Sequence, residues 1–417
     1  MSNIISVLTD TELCLLEQLA YLDEDVAKAA SDENNTVEFY KINETNIGQT
    51  IAGILNVFDE KALEILSTEE SSVCDAEISG VEWSRLLRFL KDGRLASLML
   101  HDVMLDDTGY HSVCDPNGKE YNYPLALSFT EDPDRSDDAI IVFKGTTGPK
   151  EWADNVRAAA IFDTPPQRKA LEFAEKTAEK FKNITVIGHS KGSNKAMYTA
   201  LMCDSIVRCV GFDGQGFSRV FLEAPEVSER IERRAQIIKN YSLTGDFVHI
   251  LLYQIPGSHQ LFCKGYCVDS IGQNHSPNSF FQQSDDGSEG KISSQKIMVG
   301  NTSYIIPQFE SASENTSIET LHSFVDYLLT HNENVDGIIE YLAKLLPIVI
   351  VGEDEDGNSY NSREKLEAVF SDTDSLATII KNLTGFVKEN KLDGDYLNSL
   401  LAALGVDAAG ILSLIFK

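Results

Sequence analysis

The sequence predicts an α/β protein in which a mostly parallel β-sheet is covered by helices on both faces. Between residues 123 and 243, five short runs of apolar and β-branched residues alternate with helix-like stretches. This alternation is typical of parallel sheets, because each helix carries the chain back to the edge where the next strand starts. A serine flanked by two glycines directly follows one of these runs, which places a candidate site at the carboxyl ends of the strands.

The N-terminal part, residues 1–110, is expected to be helical and to pack on the core. Apolar residues recur at helical spacing over residues 8–30, 46–66 and 79–104. The first residues have no basic start, and the polar run 10–12 interrupts their apolar pattern, so no Sec signal is expected. The chain also has no uninterrupted apolar run of about 18 residues, which argues against a transmembrane segment. The sequence therefore predicts a cytoplasmic protein, or one exported by a non-Sec route.

The central part, residues 111–330, is expected to form the catalytic core and its sheet. The predicted strands are residues 123–129, 139–143, 184–187, 206–212, 237–243 and 261–268, with a last strand formed by 296–299 and 304–306. The predicted helices between them are residues 150–160, 167–181, 193–202 and 228–234. The polar stretch 282–294 is expected to be a surface loop.

The C-terminal part, residues 331–417, is expected to be a helical appendage. After a helix at 317–329, helical spacing recurs over residues 335–345, 362–370, 374–390 and 396–416. The acidic break at 352–361 lacks the ligand spacing of a calcium-binding EF-hand and is expected to be a solvated loop. Apolar patches at 345–351 and 408–416 are expected to pack on the core, with a protein partner as the alternative.

Composition excludes several classes of function. The chain has 35 basic and 65 acidic residues and a formal charge of -30, so it repels nucleic-acid phosphates and anionic membrane surfaces. We therefore expect no nucleic-acid partner. Its seven cysteines contain no CxxC pair, which argues against a disulfide framework and a zinc cluster. No metal and no cofactor are expected.

The serine is Ser190, in the pentapeptide Gly188-His189-Ser190-Lys191-Gly192. It follows a predicted strand and precedes a predicted helix, which is the context of a nucleophile elbow. An elbow holds its serine on a strained turn, and glycines two residues before and after let strand and helix approach closely. Ser190 is the candidate nucleophile.

A serine nucleophile needs a histidine base and an acid that orients the histidine, in the chain order Ser, Asp or Glu, His. Asp246 and Asp213 each follow a predicted strand and are both candidate acids; Asp246 is favoured, although it could instead cap a helix. His275, in a predicted loop, is the favoured base, and His322, near the start of a predicted helix, is the alternative.

Two backbone N–H groups are expected to stabilise the oxyanion. One is that of Lys191, the residue after the nucleophile. The other is expected from Thr146, in the glycine-containing turn 144–148 that follows a predicted strand. Each such donor lowers the transition-state barrier by about 3 kcal/mol.

The segments IIVFKGTTGPKEWADNV at 140–156 and VIGHSKGSNKAMYTA at 186–200 resemble the class 3 lipase-like branch of the α/β-hydrolases. Residues 211–218 and the Asn274-His275 segment with Ser279-Phe280 resemble motifs of a bacterial group within that branch. The resemblance covers about residues 10–330. It implies an α/β-hydrolase fold, a triad of Ser190, Asp246 and His275, and an oxyanion hole of Thr146 and Lys191.

Three positions depart from the pattern of that family. Lys144 replaces the usual arginine, Ser193 replaces a frequent glycine, and Asp213 stands where an amide is common. The first two changes leave the chemistry intact, whereas the third keeps Asp213 as an alternative acid.

The expected function is that of a serine hydrolase, a lipase or carboxylesterase that cleaves lipid-like or small carboxylic esters through an acyl-enzyme on Ser190. One alternative is a lipase or phospholipase effector toxin delivered without a Sec signal. The other is a binding protein that keeps the α/β-hydrolase fold without catalysis.

Overall fold

A computed structural model describes residues 4–74, 76–107, 112–114, 118–243, 246, 248–263, 271–281, 295–299, 302–306 and 316–391. The strands of this part of the chain are β1 Met99–Leu105, β2 Ser112–Cys114, β3 Glu120–Asn122, β4 Pro124–Thr130, β5 Asp138–Phe143, β6 Asn183–His189, β7 Ile206–Phe212, β8 Ile238–Leu243, β9 His259–Cys263, β10 Gln295–Val299 and β11 Thr302–Ile306.

The N-terminal helices are α1 Ile4–Val7, α2 Asp10–Glu17, α3 Glu24–Ala29, α4 Ile51–Ile54, α5 Glu60–Leu66 and α6 Gly80–Asp92. The helices of the central part are α7 Gly148–Arg157, α8 Pro165–Ala178, α9 Lys191–Met202, α10 Arg219–Leu222, α11 Pro225–Arg234 and α12 Ile271–His275. The C-terminal helices are α13 Thr316–Thr330, α14 Val335–Ile350, α15 Ser362–Val369 and α16 Thr373–Glu389.

The main sheet has the strand order β1-β4-β5-β6-β7-β8-β9. The pairs β1/β4 and β4/β5 are antiparallel, and all pairs from β5 to β9 are parallel. The strands β2 and β3 form a separate hairpin, as do β10 and β11. The predicted fold class is confirmed: this is an α/β-hydrolase-type, mostly parallel sheet with helices on both faces.

Alternate residues of each central strand pack against different helices, because successive side chains of a strand point to opposite faces. In β5, Ile140 and Val142 belong to one apolar cluster and Ile141 and Phe143 to another. The first cluster contains residues of the N-terminal helices, and the second contains residues of α8, α9 and α11. The strand order explains this division. The parallel strands β5 to β9 lie side by side in the order of the sequence. Right-handed crossovers between such strands place all the connecting helices on the same face of the sheet. The N-terminal helices therefore cover the other.

The predicted helix at 79–104 is wrong in its second half. Helix α6 ends at Asp92, Gly93 adopts an extended conformation, and Met99–Leu105 forms the edge strand β1. Residues 99–105 pair with β4, and this tertiary contact outweighs the helical spacing of their apolar residues.

Other predictions differ from the structure in their bounds or lie partly or wholly outside the described residues. The helix predicted at 8–30 is interrupted, because Asp23 accepts hydrogen bonds from Asp25 N and Val26 N and so starts α3. The strand predicted at 261–268 is β9 as far as Cys263, and its remaining residues lie outside the described part. The last strand is a two-stranded hairpin, separate from the main sheet. The loop at 282–294 and the helix at 396–416 also lie outside the described residues.

The C-terminal helices are joined to the core by an ion-pair network around Arg157, at the end of α7. The Arg157 guanidinium donates to both carboxylate oxygens of Glu340 at 3.0 Å, and at 2.5 and 2.7 Å to those of Glu355. Glu340 lies on α14, and Glu355 lies in the acidic loop after it. At least one acid of that loop therefore binds the core. Among the described helices, none is long and apolar enough to cross a bilayer.

Candidate active site

Ser190 lies on the sharp turn between β6 and α9. Its backbone angles, φ 58° and ψ −127°, fall in a region that residues with a side chain rarely adopt. Its N–H donates to Phe212 O at 2.8 Å, which fixes this strained turn to the end of β7. Strain of this kind, held by the surrounding structure, is typical of functional sites and of nucleophile elbows.

The flanking glycines of the pentapeptide are required by close backbone contacts. A Cβ atom at Gly188 would lie 2.4 Å from the carbonyl carbon of Gly192, and one at Gly192 would lie 2.1 Å from Phe143 O. Real Cβ atoms do not approach backbone atoms this closely. Strand β6 and helix α9 can therefore meet at this distance only because both positions are glycine.

Asp246 lies beyond the end of β8 and is completely buried. One carboxylate oxygen, Oδ1, lies 2.7 Å from Nδ1 of His275. The other, Oδ2, accepts hydrogen bonds from Val248 N at 2.9 Å and His249 N at 3.0 Å. One oxygen of Asp246 therefore caps a short helical turn, and the other faces the candidate base.

Asp246 is held as a carboxylate by its neighbours. Burial alone would raise the pKa of Asp246, but nearby His275 and hydrogen bonds from His249 and His275 outweigh burial and lower that pKa well below its usual range. His249 contributes through Nδ1, which lies 3.1 Å from Oδ2. An ionised Asp246 accepts from Nδ1 of His275, which places the proton of a neutral ring on Nδ1 and its lone pair on Nε2. That is the tautomer a general base needs.

Asp213, the alternative acid, lies beside the same group of side chains. It follows β7 directly, has φ 48°, and accepts a hydrogen bond from Leu243 N at 2.7 Å. One of its carboxylate oxygens lies within 4.8 Å of a ring nitrogen of His275. Burial and the neighbouring Asp246 raise the pKa of Asp213 well above its usual range, which favours the neutral form of this carboxyl group. A carboxyl group shifted in this direction is less suited than Asp246 to stabilise an imidazolium.

His275 is the last residue of α12, and the expectation of a loop at this position is wrong. Pro277 explains why the helix ends here, because a proline disfavours helical backbone in the residue before it. The imidazole of His275 lies against that of His189, with ring centroids 4.5 Å apart, so it is next to the residue that precedes Ser190. His322 lies on α13, and its side chain is outside the described part of the structure.

The predicted oxyanion turn follows β5 and lies against the elbow. A Cβ atom at Gly145 would lie 3.3 Å from His189 O, which places the next residue, Thr146, near Ser190. The Thr146 hydroxyl accepts a hydrogen bond from Asn155 Nδ2 at 2.9 Å. Lys191 is the first residue of α9, where backbone N–H groups have no partner within the helix and carry its positive partial charge. Thr146 and Lys191 therefore both lie next to Ser190, one in the turn against the elbow and one at the start of α9.

The side chain of Lys191 is buried beneath the elbow. Burial lowers the pKa of Lys191 to about 8, although nearby Glu151 opposes this shift. Its Nζ has no hydrogen-bond partner among the described residues. The neighbouring Lys195, in contrast, forms a buried ion pair with Glu151 at 2.5 Å.

A cavity of about 530 Å³ lies beside the oxyanion turn. It is lined by Thr147 of that turn, by apolar side chains that include Met104 and Leu125, and by charged side chains that include Asp154 and Lys195. Its volume is in the range of pockets that hold small organic ligands, which is about 300 to 1,000 Å³.

Two trios of side chains lie close enough together to hold a metal ion: His189, Asp213 and His275, and Asp213, Asp246 and His249. In the first trio, both ring nitrogens of His189 already face hydrogen-bond partners. In the second, each Asp246 oxygen already has a partner, and the raised pKa of Asp213 disfavours the ionised carboxylate that a metal ligand needs. We assign a metal to neither trio.

Three residues around the site were not among the sequence-based candidates: Tyr21, His189 and His249. His189 has a local signal, since it lies inside the elbow pentapeptide, and His249 lies three residues after Asp246. Tyr21 has none, because it is 168 residues from His189, its hydrogen-bond partner.

The part of the chain that contains most of the candidate site is similar to a known protein family. The family model of the Tle-like phospholipase domain, described as phospholipase-like, matches residues 86–273. This segment contains Ser190, Asp246 and Thr146, and it ends two residues before His275. No curated protein matches the chain.

Among solved structures, the chain is similar to 2,6-dihydroxy-pseudo-oxynicotine hydrolase, with 14% identity and a TM-score of 0.22. That similarity covers 61% of this chain and 88% of the other. Together with the mostly parallel sheet, the family match supports a coarse assignment: over residues 86–273 this chain is similar to a lipase-like family of hydrolases, that of the Tle-like phospholipase domain.

Proposed function

We propose that this protein is a serine hydrolase that cleaves carboxylic ester bonds of phospholipids or related lipids, with Ser190 as nucleophile, His275 as base and Asp246 as the orienting acid. The observation that carries the proposal is the 2.7 Å contact between Asp246 and His275, next to a serine on a strained elbow. A plain strand-to-helix turn would require neither the strain nor a buried carboxylate paired with a histidine. The match to a phospholipase-like family supports the same chemistry.

In the proposed mechanism, Ser190 Oγ attacks the ester carbonyl carbon while Nε2 of His275 removes the hydroxyl proton. Asp246 stabilises the imidazolium that forms. The backbone N–H groups of Lys191 and Thr146 donate to the tetrahedral oxyanion. His275 then gives its proton to the leaving alcohol oxygen, and the acyl group stays on Ser190. Water, deprotonated by His275, then attacks the acyl carbon. His275 returns this proton to Ser190 Oγ as the bond between Oγ and the acyl carbon breaks, and the fatty acid leaves.

The substrate class rests on the family match. The cavity next to the turn 144–148 is a candidate for binding part of the lipid away from the reacting ester, since its lining does not include Ser190, Asp246 or His275. The cavity is lined by apolar side chains, including Pro165 and Pro166, and by charges of both signs. An amphiphilic ester fits such a lining better than a purely apolar molecule does. The formal charge of -30 favours membranes without net negative charge, because like charges repel at an interface.

The experiment uses purified protein and vesicles of phosphatidylcholine or of phosphatidylglycerol, with products identified by mass spectrometry. We expect free fatty acid and lysophospholipid, released faster from phosphatidylcholine at low salt. The difference between the two lipids should shrink as ionic strength rises, because salt screens charge repulsion. Release of phosphate or of a free head group alone would contradict carboxylic ester cleavage.

The remaining sequence-based expectations stay predictions. They are the export by a non-Sec route with action as an effector toxin, the binding role without catalysis, and the protein partner at the C-terminal helices. Labelling of Ser190 by a fluorophosphonate probe separates an enzyme from a binding protein, since only an activated serine reacts with it.

A further inference from the structure

The hydroxyl group of Tyr21, in the N-terminal helical part, contacts the candidate site at His189 and at the backbone of Gly145. Tyr21 is the last residue of the 3-10 helix Gln18–Tyr21 and is 6% exposed. Its oxygen lies 3.0 Å from Nδ1 of His189 and is packed against the backbone of Gly145. A Cβ atom at Gly145 would come within 2.4 Å of this oxygen, so a glycine is needed there to admit Tyr21.

The direction of each hydrogen bond follows from the partners of His189. Its Nε2 lies 2.8 Å from the carbonyl oxygen of His275, and since a carbonyl only accepts, Nε2 carries a proton. Burial and the nearby His275 lower the pKa of His189 well below its usual range, so the ring is neutral. A neutral ring with its proton on Nε2 has a lone pair at Nδ1. The Tyr21 hydroxyl therefore donates to Nδ1.

We propose that Tyr21 is a positioning residue for ester hydrolysis. A chain of contacts runs from the backbone of Gly145 to the Tyr21 hydroxyl, and from there through two hydrogen bonds to His189 and to the backbone of His275. This chain fixes the oxyanion turn, the serine elbow and the base relative to one another. The inference rests on the proposed function of Ser190 and His275. It gives the N-terminal helices a role in catalysis besides covering the sheet.

A second contact from the same short helix supports this role. Gln18, three residues before Tyr21, accepts a hydrogen bond through Oε1 from Asn278 Nδ2 at 2.9 Å. Asn278 lies in the 3-10 helix Pro277–Phe280, directly after the segment that carries His275. One turn of the N-terminal part therefore holds the base from two sides, through His189 and through the segment that follows it.

The test is Tyr21→Phe, which keeps the aromatic ring and removes only the hydroxyl. We expect kcat on a soluble ester to fall by about 10- to 100-fold with little change in KM, because small misplacements of catalytic groups cost rates of this order. The matched control is Tyr241→Phe. Tyr241 also donates a hydrogen bond to the N-terminal helices, to Asp10 Oδ2 at 2.6 Å, and this bond is partly buried. Its kcat should stay close to that of the wild type.

Two further measurements keep the test decisive. In a double-mutant cycle with His189→Gln, the losses in kcat should be far from additive, because both variants break the same chain. In ¹⁵N-histidine NMR, His189 should be protonated at Nε2 alone, and its Nδ1 resonance should shift in Tyr21→Phe. Equal kcat in Tyr21→Phe and the wild type, additive losses, or a protonated Nδ1 would each overturn the inference.

The failure of the proposed function would look different. A wild-type protein that hydrolyses no ester and whose Ser190 is not labelled by a fluorophosphonate would refute the catalytic assignment, and with it the role of Tyr21 in hydrolysis. An active wild type whose kcat is insensitive to Tyr21→Phe would refute the positioning role alone.

Discussion

Replacing Ser190 by alanine is expected to lower kcat for ester hydrolysis by at least about 10³-fold, because removal of a catalytic serine leaves only the oxyanion donors and substrate binding. The loss should appear in kcat and leave substrate binding nearly unchanged. Initial rates on short-chain and long-chain acyl esters measure both quantities. The fold should be kept, since alanine removes only the hydroxyl group, which thermal unfolding can verify.

Ser193→Ala provides the matched control on the same helix. The Ser193 hydroxyl is fully buried and donates to Asn240 Oδ1 at 3.2 Å, so the substitution also removes one buried hydroxyl near the elbow. We expect it to cost about 1 kcal/mol of stability, as a lost hydrogen bond does, and to leave kcat nearly unchanged. Hydrolysis that persists in Ser190→Ala but is lost in Ser193→Ala would contradict the assignment of Ser190 as the nucleophile.

Asp246→Asn is expected to lower kcat by about 10³- to 10⁴-fold, the loss known for this substitution in serine proteases. Asparagine cannot stabilise an imidazolium, and its NH₂ group can donate to Nδ1 of His275, which would put the imidazole proton on Nε2. Nε2 of His275 would then carry a proton instead of a lone pair and could not accept the proton of the Ser190 hydroxyl. Steady-state kinetics across pH measure the effect, since the loss should persist at every pH at which the protein is folded.

Asp213→Asn separates the two candidate acids, and we expect it to keep most of the activity. Because the pKa of Asp213 is raised in the folded protein, its contribution to stability is full below the unfolded pKa of about 4 and is lost as pH rises through the folded value. Asparagine does not titrate. The unfolding temperature of Asp213→Asn should therefore rise relative to the wild type as pH increases from 5 to 9. Loss of activity in this variant, with activity kept in Asp246→Asn, would reverse the assignment of the acid.

Local patterns explain why much of the core could be predicted. The strand predicted at 206–212 coincides with β7, because a buried central strand is a short apolar run bounded by turns. The elbow was visible for a similar reason, since Gly188 and Gly192 are dictated by contacts within one strand-turn-helix unit. The fixed order of the triad residues along the chain then limited the acid to candidates such as Asp246 and Asp213 and the base to histidines after Ser190, such as His275 and His322.

Contacts between distant parts of the chain explain what could not be predicted. The edge strand Met99–Leu105 has helical apolar spacing and becomes a strand only because β4 lies beside it. Tyr21 and His189 are 168 residues apart in the sequence, and no local sequence pattern predicts a contact between them. The raised pKa of Asp213 depends on its burial and on a second buried carboxyl group, Asp246, which only the folded sheet brings to it.

The most direct measurement is the reaction of the full-length protein with a fluorophosphonate probe, followed by intact-mass and peptide mass spectrometry. The proposed mechanism predicts one adduct per chain, on the peptide that contains Ser190. It also predicts no adduct in Ser190→Ala and a much slower reaction in His275→Ala, because the probe needs the serine that the base activates. An unlabelled wild-type protein, or an adduct on any other residue, would contradict it.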